Sequence, residues 1–224
     1  MVTITPSVKQ LWATTNPGYI VALAASQTMK RFPEAEANGK GLPYEPIVSF
    51  LYKAEHRSPL EHAVLSMQVN GVSRAFMAQI TRHRLASYTC SSQHYQTYSK
   101  YPVIQQDYSE RMEMAIDDAL AAYDDALKMG VAKDKARMVL PEAMTVNMII
   151  TANAREWAEI MHQRLCMRNT AETLTVARAM RKVLYDWFPQ LFAHVGPQCS
   201  EGMCMQGKMS CRKNMVQGTL QGIL

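Results

Sequence analysis

Two glycine devices and one histidine device for holding phosphates and metals are missing from this chain. It has no G-x-x-x-x-G-K-[ST] loop, no G-x-G-x-x-G fingerprint and no H-E-x-x-H helix, so any phosphate bound here must be met largely by side chains. Long hydrophobic runs are missing too: the most apolar stretch, near VLSMQV, is far too short to cross a bilayer. The opening MVTITPSVKQLWATTNP lacks the basic-then-apolar run of a secretory signal, and the five cysteines, Cys90, Cys166, Cys199, Cys204 and Cys211, are odd in number. A cytoplasmic protein with reduced thiols and no membrane partner is the expectation. There is no internal repeat and no low-complexity tract.

What is present suffices for a core. With 224 residues, 48% of them hydrophobic, the chain is long enough for one compact domain, read here as residues 1–190, followed by an irregular Cys- and Met-rich tail, 191–224. The net charge of +5 and pI near 8.9 suit an anionic small molecule as well as nucleic acid. Apolar spacing predicts a strand over residues 2–12, helices over 19–32 and 47–56, and a strand over 62–71 that stops at the Asn70-Gly71 turn signal. A helix follows from the N-cap Ser73 to about Arg84, then an amphipathic helix over 108–128. Beyond the break at Pro141, a β-branched run leads through Asn153-Ala154-Arg155 into helices over 156–166 and 170–187. From Phe188 onward the composition predicts a surface-draped tail. Helices mixed irregularly with few strands argue for an α+β fold, a mixed or antiparallel central sheet flanked by helices.

The segment ITRHRLASYTCSSQHYQTYSKYP, residues 80–102, has no hydrophobic face of its own. A basic triplet at a helix end is ordinarily a solvated cap favoured by the dipole. Here Ser87, Thr89, Ser91 and Ser92 follow Arg82, His83 and Arg84. Guanidinium forks and hydroxyl donors together make a glycine-free anion site.

Arg82-His83-Arg84, seven residues and then Ser92 resembles the R-H-R-x7-S signature of flavin-dependent thymidylate synthases. Four separated elements agree in order: Arg57-Ser58-Pro59-Leu60-Glu61-His62 resembles the family's S/T-P-x-E-H, Ala136 to Pro141 its A-R-x-x-L-P, Asn153-Ala154-Arg155 its N-x-R, and Gln163 to Arg168 its R-L-C-x-R. The resemblance implies the thymidylate synthase-complementing fold, a homotetramer, and methylation of dUMP at C5. FAD would be the cofactor, with NADPH and methylenetetrahydrofolate as co-substrates and no nucleic acid or metal. It places Gln79, Arg82, Ser92, Gln93, His94, Arg137 and Arg164 at the dUMP. Ser58, Glu61, Arg82, His83, Arg84, Cys90, Asn153, Arg155 and Glu159 would be at the FAD, with Arg164 as the catalytic group. The family uses no enzyme nucleophile, so activation must come from charge: an arginine stabilises negative charge over pyrimidine N3 and O2.

The chain departs from the pattern at two places. The family continues Ser-x-Arg where this sequence has His94, and Thr89-Cys90 replaces an Asn-Glu pair. A neutral imidazole offers one donor where arginine offers a charged fork, so Lys100 and Arg168 are candidates to compensate. A related C5 methylase or hydroxymethylase acting on dUMP or dCMP stays open, as do a flavin-binding relic and a single-stranded nucleic-acid module gripping phosphates with residues 82–101. Cys90 beside a histidine would ordinarily be unreactive. The tyrosines Tyr88, Tyr95, Tyr98 and Tyr101 either stack on a ring or pack with the hydroxyl at the surface. The C-x4-C-x6-C tail matches no common zinc pattern.

Overall fold

The computed structural model describes residues 2–28, 44–97, 102–202 and 204–211. Contacts divide it into two compact units: residues 1–7, 68–82 and 88–150 form the first, and 8–67, 83–87 and 151–224 the second. Lys100, Tyr98 and Tyr101 lie outside the described residues.

Strands β1 (Thr3–Ile4), β2 (Ser7–Ala13), β3 (Val64–Ser73), β4 (Ser87–Cys90), β5 (Val103–Ile104) and β6 (Thr145–Asn153) make two sheets. β1 pairs in parallel with β5, Thr3 opposite Val103. The antiparallel four-stranded sheet has the order β2-β3-β6-β4, the α+β arrangement expected from the sequence. β3 buries Leu65, Met67 and Val69, and β6 buries Val146, Met148, Ile150 and Ala152. This period of two puts one face of each strand in the core. Contrary to the expected turn, β3 continues through Asn70-Gly71 to Ser73. Gly71 kinks the strand with φ +68 instead of ending it, and its N–H donates to Asn147 Oδ1 at 2.9 Å, which keeps the strand attached at the kink.

In the first unit, helix α3 (Arg74–Ile80) starts at Ser73, whose hydroxyl accepts from the Phe76 N–H. It ends four residues earlier than expected. The Thr81 hydroxyl donates to the Met77 carbonyl, and the Tyr88 hydroxyl caps the Ile80 carbonyl at 2.8 Å, so the end is closed by side chains and the basic triplet falls in the turn beyond. Helix α4 (Glu110–Lys128), capped by Ser109, carries Glu110 and Glu113 in its first turn and Lys128 in its last, as its dipole favours. It buries Ile116 and Tyr123 against Val103 and Met144. The short α5 (Lys133–Ala136) and a 3₁₀ turn, Arg137–Val139, follow.

The second unit is helical. α1 (Pro17–Gln27) and α2 (Tyr44–Lys53) pack together, and α1 also packs on the 3₁₀ turn Ser58–His62; α6 (Ala154–Arg164) packs on that turn and on α7 (Ala171–Trp187). Trp157 is fully buried and donates to the Leu65 carbonyl at 3.1 Å. The segment expected to drape the surface instead begins inside the core: α8 (Pro189–Phe192) and its flanks bury Phe188, Leu191, Phe192 and Val195 completely. Arg181 on α7, itself buried, donates to the carbonyls of Val195 and Phe192, satisfying a helix end that would otherwise be orphaned. Among the described residues no helix is long and apolar enough to cross a membrane.

Candidate active site

In the second unit, the S-P-L-E-H element forms the 3₁₀ turn, and Asn153 caps α6 by accepting from the Glu156 N–H at 2.9 Å. That cap sets the direction of α6, which carries Arg155, Glu156, Glu159 and Arg164. Two ion pairs tie the elements together: Arg155 to Glu61 at 2.6 Å and Arg57 to Glu159 at 3.0 Å. Arg57, Ser58 and Arg155 join Glu55 and His56 around a polar pocket of about 430 Å³. His56 and Ser58 also line a largely apolar pocket of about 580 Å³ walled by Ala25, Pro46, Ile47, Phe50 and Leu51. Of the residues singled out from sequence, Ser58, Glu61, Arg155 and Glu159 are therefore brought together here.

Arg57 was not singled out beforehand, although it directly precedes the S-P-x-E-H element. Its guanidinium lies 5.5 Å from the Tyr52 ring centroid, within cation–π range. The arginine is thereby held on one side by Glu159 and on another by an aromatic face.

Between α3 and β4, His83 turns inward and is only 6% exposed, while Arg82 and Arg84 on either side are exposed. Arg164, in the last turn of α6, donates its Nε–H to His83 Nε2 at 3.1 Å. On the opposite side of the ring, Nδ1 lies 3.9 Å from the Glu156 carboxylate. Burial, and then the Arg164 charge, lower the imidazole from 6.5 to about 4. Burial likewise raises Glu156, with the nearby Glu159 charge adding to it, while a backbone N–H from Leu85 works the other way. Glu156, like Arg57, was not foreseen.

Arg164 also lines a cavity of about 510 Å³ with Gln163, Cys166, Arg168, Asn169 and Cys204. Arg168 donates to Gln206 at 2.7 Å. Beside this cavity a buried group links helices to the C-terminal segment: His162 contacts the Tyr52 hydroxyl at 3.2 Å and the Gly196 carbonyl at 2.7 Å, and Tyr52 donates to Glu201. Burial raises the Glu201 carboxyl to about 7. Among the described residues no cluster of three or more His, Cys, Asp or Glu side chains is arranged to hold a metal ion.

The first unit carries the other singled-out residues. Gln79 is half-buried on α3, and Gln93 is buried, 7% exposed. Ser91 exchanges backbone and side-chain hydrogen bonds with Asn147, which fastens the signature segment to β6. Ser92 Oγ accepts from the His94 backbone N–H at 3.2 Å, and the exposed His94 ring stands edge-on to Tyr95 at 4.7 Å. Lys133, which the sequence reading passed over, donates to the Tyr95 carbonyl at 3.2 Å, one residue on from His94. Arg137 is exposed, its Nε–H on the Asp134 carbonyl. Burial raises the Cys90 thiol, with Arg74 opposing, which disfavours the reactive thiolate.

The thymidylate synthase complementing protein family matches residues 10–190. A flavin-dependent thymidylate synthase of Geobacter sulfurreducens is 34% identical over 212 residues, spanning 89% of this chain and 91% of the relative. One of Clostridium tetani is 32% identical over 232 residues, spanning 92% and 93%. Among solved structures, a UMP/dUMP methylase, PolB from Streptomyces cacaoi bound with 5-Br dUMP, superposes with a TM-score of 0.72 over 86% of this chain and 95% of its own; at 20% identity that likeness is one of fold. The ordered motifs, the sheet and these matches agree: the chain belongs to the thymidylate synthase complementing protein family, the family of the flavin-dependent thymidylate synthases.

Proposed function

We propose that this protein methylates dUMP at C5 to give dTMP, with FAD as cofactor, methylenetetrahydrofolate as one-carbon donor and NADPH as reductant. The observation that carries the reading is the convergence of Arg57, Ser58 and Arg155 on one polar pocket that shares His56 and Ser58 with an apolar one. A flavin nucleotide asks for this donor set: guanidinium groups for diphosphate, a hydroxyl for a phosphate or ribitol oxygen, and an apolar wall for a ring. Glu61, Glu159 and Asn153 support it by fixing Arg155, Arg57 and the start of α6. Arg84, exposed beside this unit's His83, adds charge for phosphate. Bound reduced flavin supplies the hydride, which no amino-acid side chain provides.

Arg82, Ser92, Gln93, His94 and Arg137, with Gln79, serve the nucleotide. Lys133, which donates to the Tyr95 carbonyl, joins Lys100 and Arg168 as a cation that could meet the phosphate where the family has an arginine at the His94 position. Arg164 remains cationic at every working pH and stabilises the negative charge that spreads over pyrimidine N3 and O2 as C5 becomes nucleophilic. In a homotetramer, subunits share these duties.

The test is tritium release from [5-³H]dUMP by the FAD-loaded protein supplied with methylenetetrahydrofolate and NADPH, with dCMP as competitor. Release that depends on flavin and is blocked poorly by dCMP is the expected result. No release, or stronger competition by dCMP than by unlabelled dUMP, overturns the assignment.

A further inference from the structure

One hydrogen bond of Arg164 is made to a residue outside its own helix. Glu156 and Arg164 are in the first and last turns of α6, eight positions apart and so about 12 Å along the axis. His83, from the turn before β4, bonds to Arg164 and stands 3.9 Å from the Glu156 carboxylate. Side chains on a helix lean toward its N-terminus, and Arg164 accordingly reaches back along α6 to the imidazole. An arginine left to itself has many rotamers, worth about 2 kcal/mol of side-chain entropy. One buried acceptor on Nε removes most of that choice.

We propose that His83 is a positioning residue for Arg164: it accepts the Nε–H of Arg164 on Nε2 and, with Glu156 behind its Nδ1, fixes where the terminal guanidinium nitrogens point. This deepens the reading of Arg164 as the group that stabilises the pyrimidine and rests on it. Three observations carry the assignment. The His83 side chain is 5% exposed, which leaves little of the ring to meet a flavin. Its Nε2 is 3.1 Å from the Arg164 Nε. Its Nδ1 faces the Glu156 carboxylate, whose side chain is 8% exposed. An imidazole that accepts on Nε2 carries its proton on Nδ1, toward that carboxylate. The lowered His83 value keeps the ring neutral, and so able to accept, at pH 7.

The Leu85 backbone, two residues on from His83, bears on the Glu156 carboxyl and opposes the rise that burial causes. Glu156 and His83 form a support for Arg164 without being part of the chemistry.

The test compares His83→Gln, which keeps an acceptor near the Nε2 position, with His83→Leu, which has none, using Arg164→Leu as reference. At equal bound flavin, His83→Leu should lose about 100-fold in kcat for tritium release, the scale of a misplacement of about 1 Å, with the KM for dUMP changed less than about threefold. His83→Gln should recover to within about tenfold of the wild type. A His83→Leu protein with wild-type turnover, or one that loses flavin but keeps its turnover per bound flavin, overturns the proposal. So does a His83→Gln protein as slow as His83→Leu. If Arg164→Leu itself turns over normally, the reading of Arg164 has failed. If Arg164→Leu is inactive and His83→Leu is normal, only the present inference has failed. On the wild-type protein, whether or not the leucine variant folds, the Arg164 Nε–H should exchange slowly with solvent by NMR. Fast exchange overturns the proposal.

Discussion

The buried imidazole of His83 gives the protein a stability that depends on pH. Folding lowers its value from 6.5 to about 4, so below pH 6.5 the unfolded chain takes up a proton that the folded chain refuses, and stability falls as pH falls until the folded group titrates near 4. The full difference corresponds to about 3 kcal/mol, of which about 2 kcal/mol is already lost at pH 5. His83→Gln removes this titration and keeps the acceptor. Urea unfolding of wild type and variant at pH 8 and pH 5 isolates the effect, because His162 and His194, also lowered by burial, contribute alike to both proteins. The advantage of the wild type over the variant should shrink by about 2 kcal/mol between pH 8 and pH 5. A difference that stays the same at both values, or an NMR titration placing His83 near 6.5, refutes the picture of a desolvated ring beside a guanidinium.

Further outcomes follow from other parts of the site. Arg57→Ala should weaken FAD binding about tenfold, read by flavin fluorescence, since it removes a cation from the polar pocket and leaves Glu159 unpaired; unchanged affinity would remove Arg57 from the cofactor site. Lys133→Ala should weaken dUMP binding about fivefold and flatten its salt dependence, whereas His94→Arg should strengthen it, both by calorimetry. For Glu201, raised from 4.5 to about 7, the sign is opposite to that of His83. The folded carboxyl holds its proton more tightly than the unfolded one, so its contribution is complete below pH 4.5 and lost as pH rises through 7. Glu201→Gln should therefore unfold at higher urea than wild type at pH 8 and gain less at pH 5. Among the thiols, Cys204, lowered mainly by the Ser210 hydroxyl, should be alkylated before Cys90, raised by burial; mass spectrometry of a partly labelled sample reads the order.

Much of the architecture was legible because local chemistry and tertiary structure point the same way. Ser73, Ser109, Asn153 and Thr170 each cap a helix, and the alternation along β3 and β6 marks their buried faces. The misreadings share a cause. Asn70-Gly71 looks like a turn, but long-range pairing with Asn147 carries β3 through it. Helix periodicity runs past Ile80, but Tyr88, eight residues on, closes the helix there. Residues 188–195 look like a tail by composition, yet Arg181 and the core apolar surface draw them in.

The order and spacing of short polar motifs were enough to identify the family, since residue types at fixed separations are a property of the chain alone. The surroundings of each side chain are not. Spacing sets Arg82, His83 and Arg84 side by side as three equivalent basic groups; tertiary structure exposes two of them and buries the third between Glu156 and Arg164. Burial and a neighbouring charge make that histidine a neutral acceptor. Because both depend on residues more than seventy positions away, the sequence determined which groups are present, and only the fold decided which of them are exposed and which are buried against another.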